Sequence, residues 1–368
     1  MRDLPAPQQH RAVREGVVLY RPRPAMVMVR GADAYDLVEA LCPRDLFVRT
    51  GQILHSVVLD AEGGVAGDLY VAPRDDDFLL LADGLDDDAL LERCREVGAT
   101  LPDVNAEAIA LGATRGLLSL AGPYAWELLG ELLGPEIATI GYMTCMPMAE
   151  LGEGALCLRT GTTGEFGYDL LLDREGMGAI ESRLVAIGER FELCEADPQV
   201  LDQCALENGF FCPRHRGVLG RSPAALQLQW RVRYDHPRLG PCLQSGKEAH
   251  GRAGGHRLCW VIGRQDEPAP ALGPLRRDDR EIGELLDGFI SPTLGCFVGL
   301  AMAEPALAHP WIDGVFADGA SGQAALELRI EAPPLLQNRS LFVDPRKHVF
   351  AYRDTYGFWP ITPGGDAP

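Results

Sequence analysis

Residues 53–71 read ILHSVVLDAEGGVAGDLYV, two β-rich runs on either side of a Gly-Gly pair. Runs of this length and composition, separated by a glycine turn, predict a β-hairpin. The second arm continues as VAGDLYVAP and carries a single ionisable side chain, Asp68, among mostly apolar neighbours. FLLLAD at 78–83 follows the polar RDDD and predicts another strand. Upstream, Pro22 and Pro24 lead into AMVMVRG, whose apolar run 26–29 ends before Gly31 and reads as a strand. ADAYDLVEALC then places Tyr35, Leu37, Val38 and Leu41 close to helical spacing, and Pro43 stops it. Downstream, DDDALLERCREV at 86–97 has an acidic first turn and later arginines, the charge order a helix dipole favours.

The order of strand, glycine and helix returns at 115–134, RGLLSLAGPYAWELLGELLG, so the two passages look like an internal repeat. ALCLRTGTTGEFGYDLLLD supplies two more strands across a Gly/Thr-rich turn, and GMGAIESRLVAIGERF another helix. After about residue 250 the texture changes to short strands rich in Gly and Pro, such as RLCWVIG, GCFVGLAMA and AALELRIEA, which predict a small β-barrel. The organisation expected is a first α+β unit at 1–110, a second at 111–250, a barrel at 251–340 and an aromatic, Pro-rich tail at 341–368.

With 368 residues and 46% apolar content, the chain is long enough for several packed cores. Its ten cysteines are irregularly spaced, with no CxxC, which suits reduced thiols and a cytoplasmic setting. The opening MRDLPAPQQHRAVREG has no apolar run, and no window approaches 18 uninterrupted apolar residues, so neither secretion nor membrane insertion is expected. A formal charge of −19 repels polyanions and argues against nucleic-acid binding, leaving small molecules as the expected partners and a protein partner open. Cys204, Cys212 and His215 follow C-x7-C-x2-H, which fits no standard zinc spacing, so no metal is expected. No Walker loop or dinucleotide fingerprint occurs.

Five passages in register carry a resemblance. LDAEGGVAGDLYV resembles N-E-x-G-G-I-x-D-D-L-x-V, LLSLAGPYAWELL resembles A-x-Q-G-P-x-A, and RTGTTGEFGYDL resembles R-T-G-Y-T-G-E-x-G-[FY]-E. CLQSGKEA resembles F-x-G-K-E-A, and GELLDGFISPTLGCFVGLAMAE resembles G-x-x-T-S-G-x-x-S-P-T-L-x-x-x-I-A-L-A. Together they are similar to the folate-dependent aminomethyltransferase family of the glycine-cleavage T-protein type. The resemblance implies an α+β fold: two related α+β units around a central folate channel, plus a C-terminal β-barrel. It also implies tetrahydrofolate as cofactor and one-carbon transfer, methyl or methylene, as the activity.

The same register assigns the site residues. Asp68 matches the second aspartate of D-D-L and is implied to lie near the reactive folate nitrogens, where a carboxylate favours developing positive charge. On its own it reads equally as a polar residue at a hairpin edge. His55 falls where the family has a channel tyrosine and can stack, donate or titrate, or simply bond backbone. Asp169 takes the place of a pterin-binding glutamate with an arm one carbon shorter, the alternative being an outward-facing strand carboxylate. The family's asparagine falls near Ala82 or Asp83, Trp230 falls at a tryptophan that is structural or at the channel wall, and Asp202 and Glu207 are retained on the helix that reads QVLDQCALENG. Arg231 and Arg233 can meet a folate glutamate tail or pair on the surface, and Tyr70 and Tyr168 are expected to face away from the two carboxylates. Departures include Gly67 for the first aspartate, Thr162 for a tyrosine, and Leu201 and Ala205 for two arginines. The remodelled pocket points to a specialised transferase rather than glycine cleavage, with two alternatives kept: a non-catalytic folate-binding subunit, and an enzyme of this fold that has abandoned folate.

Overall fold

A computed structural model describes residues 1–239, 243–245, 255–320 and 323–357. The elements run α1 (Ala6–Glu15), β1 (Val18–Tyr20), β2 (Ala25–Arg30), α2 (Ala34–Leu41), β3 (Leu54–Leu59), β4 (Val65–Pro73), β5 (Asp77–Asp83), α3 (Asp87–Gly98) and β6 (Glu107–Ala110). There follow β7 (Arg115–Ala121), α4 (Ala125–Leu133), β8 (Thr144–Pro147), β9 (Leu156–Arg159), β10 (Gly167–Asp173), α5 (Arg174–Gly188), β11 (Cys194–Glu195) and α6 (Pro198–Asn208). The last six strands are β12 (Arg257–Gln265), β13 (Pro270–Arg277), β14 (Arg280–Ile290), β15 (Cys296–Ala303), β16 (Ile312–Gly319) and β17 (Leu326–Glu331).

Two sheets of matching order form the body. One runs β3-β4-β5-β2-β6, the other β8-β9-β10-β7-β1-β11, so β2 to β5 and β7 to β10 trace the same path. The repeat seen in sequence is therefore a repeat of topology. In both copies a left-handed glycine turns the chain from strand to helix: Gly31 at φ +120° and Gly122 at φ +134°. A Cβ on Gly122 would lie 2.2 Å from the Gly16 carbonyl oxygen, and one on Gly31 2.5 Å from that of Asn105. Only glycine satisfies both the dihedral and the space.

Strand alternation sorts the side chains into layers. Leu69, Val71, Leu80 and Ala82 pack outward against α2 and α3, while Leu118, Leu120 and Leu170 pack against α4 and α5. The inner faces meet through Leu79, Leu81, Leu117, Leu158 and Leu171. The expected division at residue 110 is crossed by the chain's opening residues: β1 pairs with β7 and β11 in the second sheet, and α1 packs on α6.

Strands β12 to β17 close into a barrel in the order β12-β15-β14-β13-β16-β17. The aromatic, Pro-rich tail does not stand apart from the units before it. Instead Val343 and Phe350 enter the core of the second unit, where Phe350 meets Tyr124 edge-on at 5.6 Å and Phe191 at 5.3 Å. Tyr352 is largely exposed, and Phe358 and Trp359 lie outside the described residues, as does most of the CLQSGKEA passage. No helix among the described residues is long and apolar enough to cross a membrane.

Candidate functional site

Where the inner faces of the two sheets diverge, they enclose a cavity of about 740 Å3, within the usual range of small-molecule sites. The first sheet contributes Asp68, Tyr70, Leu81 and Asp83, the second Tyr20, Leu117 and Asp169. Pairing explains the grouping: Asp68 sits opposite Asp83 across β4 and β5, and Asp169 opposite Ser119 across β10 and β7. Three of these four strands thus send an acid inward at one end of a leucine floor, and β7 sends a hydroxyl.

Asp68 is only 4% exposed. Its carboxylate accepts from His55 Nε2 at 2.8–2.9 Å and from Arg231 Nη1. Burial by itself would raise its pKa; the His55 ring and the Arg231 guanidinium outweigh burial and hold it below the ordinary carboxylate value. Asp169 differs. Burial raises its pKa, and the hydroxyls of Ser119 and Thr160, the donors its oxygens meet among the described residues, offset burial incompletely. Asp83 is also raised by burial, although Arg214 pairs with it and partly opposes the shift. Among these three carboxylates, Asp68 is held below its ordinary pKa, whereas Asp83 and Asp169 hold a proton more readily than usual.

The sequence-derived residues divide accordingly. Asp68, Asp83 and Asp169 line the cavity and His55 backs Asp68, so these four converge. Tyr168 does face away, into the second core. Tyr70 does not: two residues from Asp68 on one strand, it shares the inner face, lines the cavity and lies 4.5 Å from the His55 ring centroid. Trp230, 62% exposed, stands in a separate cavity. Arg233 is elsewhere, held by Asp45 and Asp235. Arg231, expected to meet a folate tail or pair on the surface, is 3% exposed and bound to Asp68.

Glu207, assigned to the cofactor, is instead part of a buried cluster away from the cavity. It pairs with Arg14, lies 3.1 Å from His10 Nε2 and accepts from Ser291. Arg14 in turn donates to the carbonyls of Thr163 and Cys204 and to Asn338. The cluster joins α1, α6 and the barrel, and Arg14 and His10 outweigh burial to hold Glu207 below its ordinary pKa. Cys204 completes a His10–Cys204–Glu207 grouping, but the Arg14 guanidinium on the same carboxylate opposes a second cation there. Cys212 and His215 turn to Asp202 and Asp287 instead.

Several cavity residues were not anticipated, Tyr20, Arg23 and Arg214 among them. Arg214 bonds Asp202 at 2.9 Å and also reaches Asp83. Helix α6 lacks arginine at 201 and 205, yet both acids it keeps are met by arginines from outside it, Asp202 by Arg214 and Glu207 by Arg14. Arg23 is exposed at the rim, with no carboxylate partner among the described residues.

Twin sheets around an acid-lined cavity, with a barrel beside them, define the aminomethyltransferase fold. The crystal structure of the glycine cleavage system aminomethyltransferase T from Bartonella henselae matches with a TM-score of 0.75 at 19% identity, covering 91% of this chain and 90% of that one. The GCVT N-terminal domain model matches residues 5–236, and the chain belongs to that family. Relatives include aminomethyltransferases of Moorella thermoacetica, 28% identical over 75% of each chain, and of Frankia alni, 28% identical over 82% of each. That of Chlorobaculum parvum is 27% identical over 80% of each chain.

Proposed function

We propose that this protein moves a one-carbon unit, methyl or methylene, between a small molecule and tetrahydrofolate held in the central cavity. The observation that carries the reading is Asp68, a carboxylate fixed as an anion by two partners yet open to a cavity of folate size. The donor set suits the cofactor: Asp83 and Asp169 are acceptors for ring N–H groups, Tyr70 and Leu81 offer apolar surface, and Arg23 at the rim suits a glutamyl carboxylate. Bound tetrahydrofolate would supply the nitrogen that takes or gives the carbon.

The protein's own part is electrostatic. Asp68 stabilises positive charge as it develops on an amine nitrogen, and its ion pairs keep the carboxylate pre-oriented. Asp169, with its raised pKa, can hold or return a proton within the same cavity. The rebuilt arginine positions at 201 and 205 and Gly67 in place of an acid support a specialised substrate over glycine cleavage. Gly67 has no room for more, since a Cβ there would sit 2.7 Å from the Asp83 carbonyl oxygen.

The test is anaerobic calorimetric titration with tetrahydrofolate and its methyl and methylene forms, on the wild type and on Asp68→Asn. Micromolar binding that prefers one form supports the reading and sets the direction to assay. Absence of binding by every form up to millimolar concentration sinks it.

A further inference from the structure

The Asp68 cluster has two sides. Asp68 lines the central cavity, whereas its partners His55 and Arg231 line a second cavity of about 620 Å3 bounded by the first unit, the segment after α6 and the barrel. Phe211 borders both. The second cavity is walled by Phe210, Trp230 and Trp260 beside the two basic side chains. The Arg231 guanidinium carbon lies 4.8 Å from the Trp230 ring centroid.

The polar groups of this wall are unbalanced. Arg231 commits Nη1 to Asp68, while its buried Nε–H finds no acceptor among the described residues. The indole N–H of Trp260, a residue more than nine-tenths buried, likewise finds none. The acid of this cavity, Glu331, is taken by Arg329 at 2.5 Å. Donors left unmet in a desolvated wall cost free energy that an acceptor-bearing ligand recovers. Geometry agrees: Arg231 spends one nitrogen on Asp68 and keeps its Nε–H for this wall, and the one acid lining the cavity is already paired, so a carboxylate meets donors there without a competing free anion.

We infer that the second cavity binds the other reactant, and that this reactant is an aromatic or similarly flat apolar carboxylic acid, its ring among Phe210, Phe211, Trp230 and Trp260 and its carboxylate toward Arg231. As a substrate site this rests on the folate reading; as a binding site it does not.

Benzoate and its uncharged analogue benzamide are the probes. Binding to the full chain is followed by tryptophan fluorescence and calorimetry, with and without saturating tetrahydrofolate, in wild type, Arg231→Gln and Ala332→Trp. Ala332 is exposed at the rim, so a bulky side chain there narrows the entrance without entering a core. Benzoate is expected to bind with Kd of about 1 mM or tighter, benzamide about tenfold more weakly, and both variants to lose about tenfold in benzoate affinity. Affinity is expected to persist when tetrahydrofolate is present. Displacement of benzoate by tetrahydrofolate, equal binding of benzamide, unchanged affinity in Ala332→Trp, or no benzoate binding at tens of millimolar each overturns the inference. Benzoate binding without any tetrahydrofolate binding removes the folate reading and leaves the carboxylate site standing.

Discussion

Replacing Arg14 by methionine is expected to weaken the fold strongly, and more so at high pH. Arg14 and Glu207 are 1% and 0% exposed, and Glu165 lies 3.8 Å from the same guanidinium. Arg14→Met leaves two buried carboxylates without their cation, a loss of about 3–5 kcal/mol for breaking a buried pair. With a denaturant slope of about 3 kcal/mol/M in urea, the midpoint should fall by about 1 M. In the wild type Glu207 lies below its ordinary pKa, so it contributes stability above the unfolded value of about 4.3 that is lost on acidification. Without Arg14, burial raises Glu207 above that value; ionisation then opposes folding, and protonation relieves it. The deficit should accordingly be larger at pH 8 than at pH 5. Adding Glu207→Gln to Arg14→Met should restore part of the loss, because one of the two uncompensated carboxylates is gone and Glu165 remains. Urea unfolding followed by circular dichroism at both pH values measures this. A midpoint within about 0.3 M of wild type at pH 8, or equal deficits at the two pH values, would refute the placement of this pair. Glu207→Gln alone should also leave tetrahydrofolate affinity unchanged, in contrast to the role its position in the sequence suggested.

Asp68 lies below its ordinary pKa, so its stabilisation is present above about pH 4 and disappears as pH falls through its folded value. The gap in urea midpoint between wild type and Asp68→Asn should therefore be full at pH 7 and shrink progressively as the pH is taken below about 4; a gap that does not change with acidification would contradict the ion pairs. Phe350→Ala, emptying a position 5% exposed in the second core, should cost about 3–5 kcal/mol, whereas a tail merely resting on the surface would change unfolding by less than about 0.5 kcal/mol. Arg23→Ala should reduce the affinity of a polyglutamyl tetrahydrofolate a few-fold at low salt, with the difference fading at about 0.5 M sodium chloride; a difference insensitive to salt would place the tail elsewhere.

Much of the scaffold was legible because local rules and tertiary packing agree. The hairpin around Gly63 and Gly64, the two strand-glycine-helix passages and the barrel strands follow from alternation, glycine placement and β-branched runs. Asp68 was reached through the family register, since on its own it also reads as a polar residue at a hairpin edge; the structure places it on the cavity wall. What failed depended on partners distant in sequence. Arg231 was read by strand alternation, but Gln229–Arg231 forms a 3-10 turn that exposes Trp230 and buries the arginine against a carboxylate 163 residues away. Arg214 and Arg14 could not be matched to Asp202 and Glu207, because α6 and its partners meet only through the fold. The Tyr70 error was simpler: residues two apart on a strand share a face.

The placement of β1 sets a timetable for folding. Val18 pairs with Ala121 and with Cys194, so this strand leaves the ribosome about a hundred residues before its first neighbour exists. The sheet β3-β4-β5-β2-β6 needs nothing beyond residue 110 and can close while synthesis continues, during which α1 and β1 wait without their partners. Closing loops of this length slows assembly more than it lowers final stability. Nascent chains halted near residue 115 should thus carry a protected first sheet beside an opening segment still available to chaperones, and the second sheet should become protected only once β11 has emerged.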